Sequence, residues 1–446
     1  MAAIVADDLH SAPMSTPLSA SLLFTMVFTF LFALGLLARF WLATRQIRHV
    51  AQHREQVPAA FAQNISLQAH QKAADYTLTK TQFGLLELTW GSAALLGWTL
   101  LGGLDLLNQI LLSWMGGGMA QQVTLLLAFV LISGVLDLPL TLYQTFVIEE
   151  RFGFNKMTLK LWLIDLAKSS VLGLVIGLPL AALILWLMGA AGQLWWLWAW
   201  CVWTGFNLLL LLIYPSFIAP LFNKFKPLED VAIQARVTAL MQRCGFAAKG
   251  LFVMDGSKRS AHANAYFTGF GASKRVVFFD TLLAKLAPAE VDAVLAHELG
   301  HFKHKHVLKR MLSLFAMSLL AFALLGWIST QTWFFTGLGV QPNLMGVPKA
   351  VASAPTDALA LLLFALTLPL LSFFVAPLMA HFSRTHEFQA DAYAVTHTSS
   401  ADLASALLKL YEDNASTLTP DPLYVRVYYS HPAASERLAR MGAALG

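Results

Sequence analysis

Charge is the first thing in short supply. Only 12% of the 446 residues are Asp, Glu, Lys or Arg, while 57% are hydrophobic. A soluble domain carries about twice that charged share. Mean hydropathy is +0.62, which excludes an ordinary soluble globule and leaves a polytopic membrane protein. Cysteine is scarce too. Cys201 sits in an apolar run and Cys244 in a distant polar segment, so a structural disulfide is not expected. The first 19 residues contain no Lys or Arg. The positive n-region of a secretory signal is therefore missing, and the first apolar run is long enough to span and stay. Internal repeats are absent, and Gly116-Gly117-Gly118 is the only low-complexity stretch.

Long apolar runs are abundant. Seven spans are expected, at roughly 20–43, 83–105, 122–147, 161–189, 194–214, 308–329 and 357–380, each meeting the ~20 residues a bilayer needs. The third and fourth runs exceed a simple crossing and are expected to project beyond the lipid. With the N-terminus outside, only Lys349 of the 30 Lys and Arg falls in an outer segment. The positive-inside rule therefore gives N-outside and C-inside. The net charge of +5 is a topology signal and implies no nucleic-acid partner.

Two large segments fall on the inner side, which divides the chain in four. Residues 1–214 form a membrane region with spans one to five, and 215–307 an inner-face segment. Residues 308–380 hold spans six and seven, and 381–446 a tail. The tail is too short for much core of its own and is expected to pack on 215–307. In that segment the prolines from Pro215 to Pro227 read as a helix exit and an irregular connector. Residues 228–243 alternate apolar and polar positions at helical spacing (Val231, Ile233, Val237, Leu240, Met241), which predicts an amphipathic helix. Residues 250–255 and 274–279 read as strands, with a further strand at Asn264–Gly269 and a turn through Gly269, Gly271, Ala272 and Ser273.

Residues 297–301 read His-Glu-Leu-Gly-His. On a helix, His297 and His301 project from one face and can bind one Zn²⁺ per chain, with the Glu298 carboxylate beside it as a base. Pro288 and Glu290 suit the first turn of that helix. The basic cluster Lys303, Lys305, Lys309 and Arg310 places it at the inner membrane surface, where it can run on into the sixth span. A third ligand is needed, and the tail offers Glu387. Asp391, one turn on, is the natural acceptor for the outer N–H of a ligand histidine. His431, in Ser430-His431-Pro432, can donate to an oxyanion if it lies near the metal. His304 and His306 point away from the His297/His301 face and carry no assignment. In the membrane, Glu87, Asp137, Asp165 and Lys168 must face protein or water. Asp165 and Lys168 can pair along one helix face.

Together these residues resemble the type I CAAX prenyl proteases, integral-membrane zinc endopeptidases. The resemblance rests on His297-Glu298-Leu299-Gly300-His301, Glu387 to Asp391, Ser430-His431-Pro432 with Arg437, and Asn264-Ala265-Tyr266-Phe267. It also rests on Pro215 to Pro227 and Glu150-Arg151-Phe152-Gly153-Phe154-Asn155-Lys156. It implies an all-α polytopic fold of seven helices around a large water-filled chamber, with a small α+β, gluzincin-like metalloprotease domain on the inner face. It implies zinc on His297, His301 and Glu387, with Glu298 as general base and His431 assisting the oxyanion. Asp391 and Arg437 would support the ligands, and Asn264, Ala265 and Tyr266 would hold the substrate backbone. The expected partners are a peptide or protein substrate, prenylated in eukaryotic members, and the lipid bilayer, with the chain acting as a monomer. A quality-control protease of the heat-shock type is the alternative within hydrolases. A transporter or channel with a structural metal is the alternative outside them, although a structural zinc would normally have a fourth protein ligand. Short loops lean towards a bacterial inner membrane over the endoplasmic reticulum.

Overall fold

The computed structural model describes residues 18–246, 250–268, 275–343 and 355–442. The chain opens with long apolar helices: α1 (Ala20–Gln52), α2 (Leu67–Trp98), α3 (Gly103–Met115), α4 (Met119–Tyr143), α5 (Leu159–Leu172), α6 (Leu178–Ala190) and α7 (Trp195–Ile213), then a short α8 (Ala219–Phe222). Six stretches are long and apolar enough to cross a membrane, and α2 with α3 makes a seventh if the pair, bent by 47°, counts as one. The expected span at 83–105 is therefore not one straight helix. Gly102 adopts φ +80°, and a Cβ on Gly103 would lie 2.6 Å from the Gly97 carbonyl oxygen, so the turn closes only on glycine. The third and fourth spans are long, as expected, covering Met119–Glu149 and Leu159–Ala190.

Pro215 does not end the fifth span. A π-helical turn over Tyr214–Ile218 accommodates it, and helix continues to Phe222. Beyond lie β1 (Phe225–Pro227), α9 (Val231–Arg243), β2 (Gly250–Met254), β3 (Ala265–Thr268) and β4 (Arg275–Phe279). The Asp230 carboxylate caps α9 by accepting from Ile233 N. That helix buries Val237, Leu240 and Met241, while Val231 at its start is 76% exposed. The strands form one sheet in the order β1-β2-β4-β3. The central pair β2/β4 is parallel, with Phe252 opposite Val277, and β3 runs antiparallel to β4 at the edge. The expected turn at Gly269–Ser273 lies outside the described residues.

After α10 (Asp280–Leu283) come α11 (Pro288–Lys303), α12 (His306–Ile328), α13 (Thr332–Thr336), α14 (Asp357–His397), α15 (Ser400–Asp413), α16 (Pro422–Tyr428) and α17 (Ala434–Met441). The His-Glu-Leu-Gly-His helix, α11, is not continuous with the sixth span. Lys305 adopts φ +57°, a left-handed conformation that breaks the helix before α12 starts at His306.

One core joins the inner elements. It contains Val237, Leu240, Phe278, Leu295 and Leu299 with Leu403, Leu407 and Leu438 of the tail, and it also takes in Phe61 and Ile65 from the loop after α1. Arg259 clamps this body to the membrane helices through a two-pronged contact with Asp165 (2.8 and 3.0 Å) and a bond to Asn223 (3.0 Å). Asp165 thus pairs across the fold and not with Lys168, whose ammonium donates to the Leu221 carbonyl. Glu87 and Asp137 border a cavity of about 630 Å³ between α1, α2, α4 and α14, together with Arg39.

Candidate metal centre

The site forms where α11 crosses α14. Glycine permits the crossing: a Cβ on Gly300 would lie 2.9 Å from Ala390 Cα. Ala287, Pro288 and Glu290 start α11. The Glu290 carboxylate accepts from Ala287 N (2.7 Å) and also from Ser405 Oγ (2.6 Å) and Lys409 Nζ (2.7 Å). It therefore caps the helix and ties it to α15.

One turn apart on α11, His297 and His301 turn Nε2 atoms towards each other at 3.2 Å. Glu387 of α14 closes the triangle, with Oε2 3.4 Å from His297 Nε2 and Oε1 3.4 Å from His301 Nε2. Three potential ligand atoms, one from each residue, all lie within 4.8 Å of one another. Glu387 Oε2 is buried and has no hydrogen-bond partner among the described residues. A cation between the three groups would satisfy that oxygen and both facing imidazole lone pairs.

Asp391, buried one turn after Glu387, has Oδ1 2.8 Å from His297 Nδ1. Arg437 of α17 donates to the same carboxylate from Nη2 (2.6 Å) and Nε (2.8 Å). Burial works to lower the His297 imidazole, yet its bond to Asp391 and the nearby Glu387 carboxylate outweigh that and raise it to about 9. Burial, then the neighbouring His297, pulls His301 down to about 4. The two carboxylates thus make the space between the imidazoles favourable for positive charge, which a bound cation would supply, while His301 has a lone pair to offer it. Glu298 is half-buried between them, and burial raises its carboxyl above the ordinary value.

His431 reaches the site from the segment after α16. Its Nε2 is 3.5 Å from Glu387 Oε1, and its Nδ1 is 2.9 Å from Ser430 Oγ. Arg384, one turn before Glu387, donates to the carbonyls of Val425 (3.1 Å) and Tyr429 (2.8 Å) and so fixes the segment that presents His431. That role went unassigned in the sequence, because neither partner is near Arg384 in the chain. Among the described residues, no hydrogen bond joins Asn264, Ala265 or Tyr266 to this cluster. Asn264 opens the edge strand β3, with its Oδ1 accepting from Ala265 N. His306, given no role from sequence, lies 3.0 Å from His301.

Residues 46–224 match the family described as CAAX prenyl protease N-terminal, five membrane helices, and residues 227–444 match peptidase family M48. The chain belongs to the M48 peptidases, among the type I CAAX prenyl proteases. A homolog of CAAX prenyl protease 1 from Arabidopsis thaliana is 38% identical over 80% of this chain and 79% of its own length. CAAX prenyl protease 1 of Saccharomyces cerevisiae is 34% identical over 90% of this chain and 91% of its own. A human homolog is 32% identical over 89% and 91%. The crystal structure of S. mikatae Ste24p covers 96% of this chain and is itself covered completely, with a TM-score of 0.86 and 31% identity. The protein is thus a multi-pass membrane metalloendopeptidase. M48 membership implies a metal, and the two imidazoles with the buried Glu387 carboxylate, one oxygen of which lacks a hydrogen-bond partner among the described residues, could hold one.

Proposed function

We propose that the protein is a zinc endopeptidase whose metal is held by His297, His301 and Glu387 and which cuts near the C-terminus of prenylated or membrane-associated proteins. The observation that carries the proposal is the convergence of donors: the two Nε2 atoms are 3.2 Å apart, and each lies 3.4 Å from one of the two Glu387 carboxylate oxygens. Ligands about 2.0–2.1 Å from a tetrahedral ion lie roughly 3.3 Å from one another. Three protein ligands leave one position for substrate or water, as in catalytic sites and unlike structural ones. Two nitrogens and one carboxylate oxygen are a donor set suited to zinc.

When bound, the metal supplies Lewis acidity to the attacking water and the scissile carbonyl. The rest falls to the chain. Glu298, its carboxyl raised by burial, takes the proton of the attacking water and passes it to the leaving amine. His431, exposed and 3.5 Å from Glu387, donates to the oxyanion of the tetrahedral intermediate. Asp391 and Arg437 hold His297 in orientation. The edge strand β3, starting after Asn264, offers free main-chain groups to an extended peptide, giving affinity with little demand on sequence.

The prenylated substrate class rests on the names of the relatives. We further propose that one chain carries the full site and works as a monomer, with its N-terminus outside and its C-terminus in the cytosol. The division at 214/215, 307/308 and 380/381 serves as a functional one, with 215–307 and 381–446 jointly forming the catalytic body. Plant, yeast and human relatives weigh towards the endoplasmic reticulum and against the bacterial inner membrane expected from loop length. The test is Glu298→Gln in the purified full-length protein, assayed on one peptide with and without its prenyl group. The variant should keep its metal and fold yet lose cleavage. Normal cleavage by Glu298→Gln sinks the mechanism, and equal cleavage of both peptides sinks the substrate class.

A further inference from the structure

The outward nitrogen of His301 does not face water. His301 Nδ1 is 3.0 Å from His306 Nδ1, and His306 Nε2 is 2.8 Å from Gln389 Oε1. His306 is buried, and its ring stacks on His386 with centroids 4.0 Å apart. The break at Lys305 brings it there, since φ +57° turns the chain back beside the helix it has just left.

The protons along this line are fixed by one requirement. His301 Nε2 faces His297 Nε2 and Glu387, so a ligand lone pair must sit there and the ring proton must sit on Nδ1. Two imidazole nitrogens at 3.0 Å share a single hydrogen. His306 Nδ1 therefore accepts, and the proton of His306 resides on Nε2. That N–H needs an acceptor, and the Gln389 carbonyl oxygen supplies it. A reversed amide would reverse every step. The Gln389 NH₂ would donate to His306 Nε2, His306 would donate to His301 Nδ1, and the His301 proton would land on Nε2, where the lone pair is needed.

We propose that His306 and Gln389 are positioning residues that hold His301 in its Nε2-ligating tautomer, as Asp391 does for His297. This rests on His301 being a metal ligand. It makes the centre asymmetric: one imidazole is backed by a carboxylate and a guanidinium, the other by a neutral relay.

The test is zinc affinity, measured by chelator competition on the full chain in detergent, with thermal unfolding of the metal-free protein as a check on folding. His306→Phe keeps the ring and its stack on His386 but removes both nitrogens, and should weaken zinc binding by about 10–100-fold. His306→Gln should restore most of the loss, because its amide can accept from His301 and donate to Gln389. Gln389→Glu, at an exposed position, should tighten binding several-fold, since a carboxylate is the stronger acceptor. The proposal is overturned if His306→Phe binds zinc as tightly as wild type, or if His306→Gln binds no better than His306→Phe. Should His306→Phe fail to fold, Gln389→Glu decides: tighter binding supports the relay and unchanged binding overturns it. His301→Ala separates the two levels. If it keeps wild-type affinity, the ligand assignment itself has failed.

Discussion

Replacing Gly300 with alanine is the sharpest probe of how α11 and α14 would share the proposed metal. The new Cβ would lie 2.9 Å from Ala390 Cα, 3.1 Å from Ala390 O and 3.1 Å from Tyr393 Cβ. Carbon atoms settle at about 3.5–4.0 Å, so the helices must part by roughly 0.6–1 Å. The nearest obstacles are backbone and a Cβ, which cannot swing aside. Ala390 sits between Glu387 and Asp391 on α14, so both carboxylates move with it. A metal site tolerates only about 0.2 Å in its bonds, and the displacement is several times that. Overpacking costs about 1–3 kcal/mol, while alanine regains up to ~1 kcal/mol of helix propensity. The metal-free protein should therefore lose no more than about 2 kcal/mol. Metal binding should fall by tenfold or more, as for a disturbed ligand shell. The assay is chelator competition beside thermal unfolding with and without metal. If Gly300→Ala binds metal like wild type and unfolds at the same temperature, the close crossing is not what sets the ligand geometry.

The other expectations concern the supports. Asp391→Asn removes the charge that Arg437 and His297 share in a buried setting, where breaking an ion pair costs about 3–5 kcal/mol. Chemical unfolding should register that loss together with weaker metal retention, and an unchanged midpoint would refute it. Glu290→Ala strips three hydrogen bonds from the start of α11 and should cost about 2 kcal/mol. Burial works to raise the Glu290 carboxyl, but Lys409, Ser405 and Ala287 N outweigh it and hold it below the ordinary value. A depressed native pKa gives stability that is complete above the unfolded value of about 4.3 and is lost as pH falls through the native one. Wild type should therefore lose its advantage over Glu290→Ala in that acid window. A constant difference from pH 7 to pH 3 would contradict the assignment.

Much of the centre was legible because its chemistry is local. Residues four apart on a helix must share a face, which gave both the His297/His301 pair and the Glu387/Asp391 pair. The sequence could not show that the two faces meet, because that depends on Gly300 and Ala390 touching across α11 and α14. His306 was set aside for a physical reason. Five positions beyond His301 on a continuous helix it would point elsewhere, and only the break at Lys305 returns it to the site. The Asp165–Lys168 pairing failed for a similar reason, since Arg259, 94 residues away, offers a two-pronged partner that a single ammonium cannot match. In the membrane, hydropathy located the spans but not the bend before α3, because a glycine corner barely alters an average taken over twenty residues.

Helix α14 has 41 residues and is therefore about 60 Å long, twice the ~30 Å of a bilayer's hydrocarbon layer. Its first half is apolar, and its second half carries Glu387 and Asp391. Anchor and proposed ligand are thus parts of one helix. Trimming a water-soluble fragment from this protein would sever that helix, which carries Pro369 and Pro377 between its apolar half and the proposed metal carboxylate.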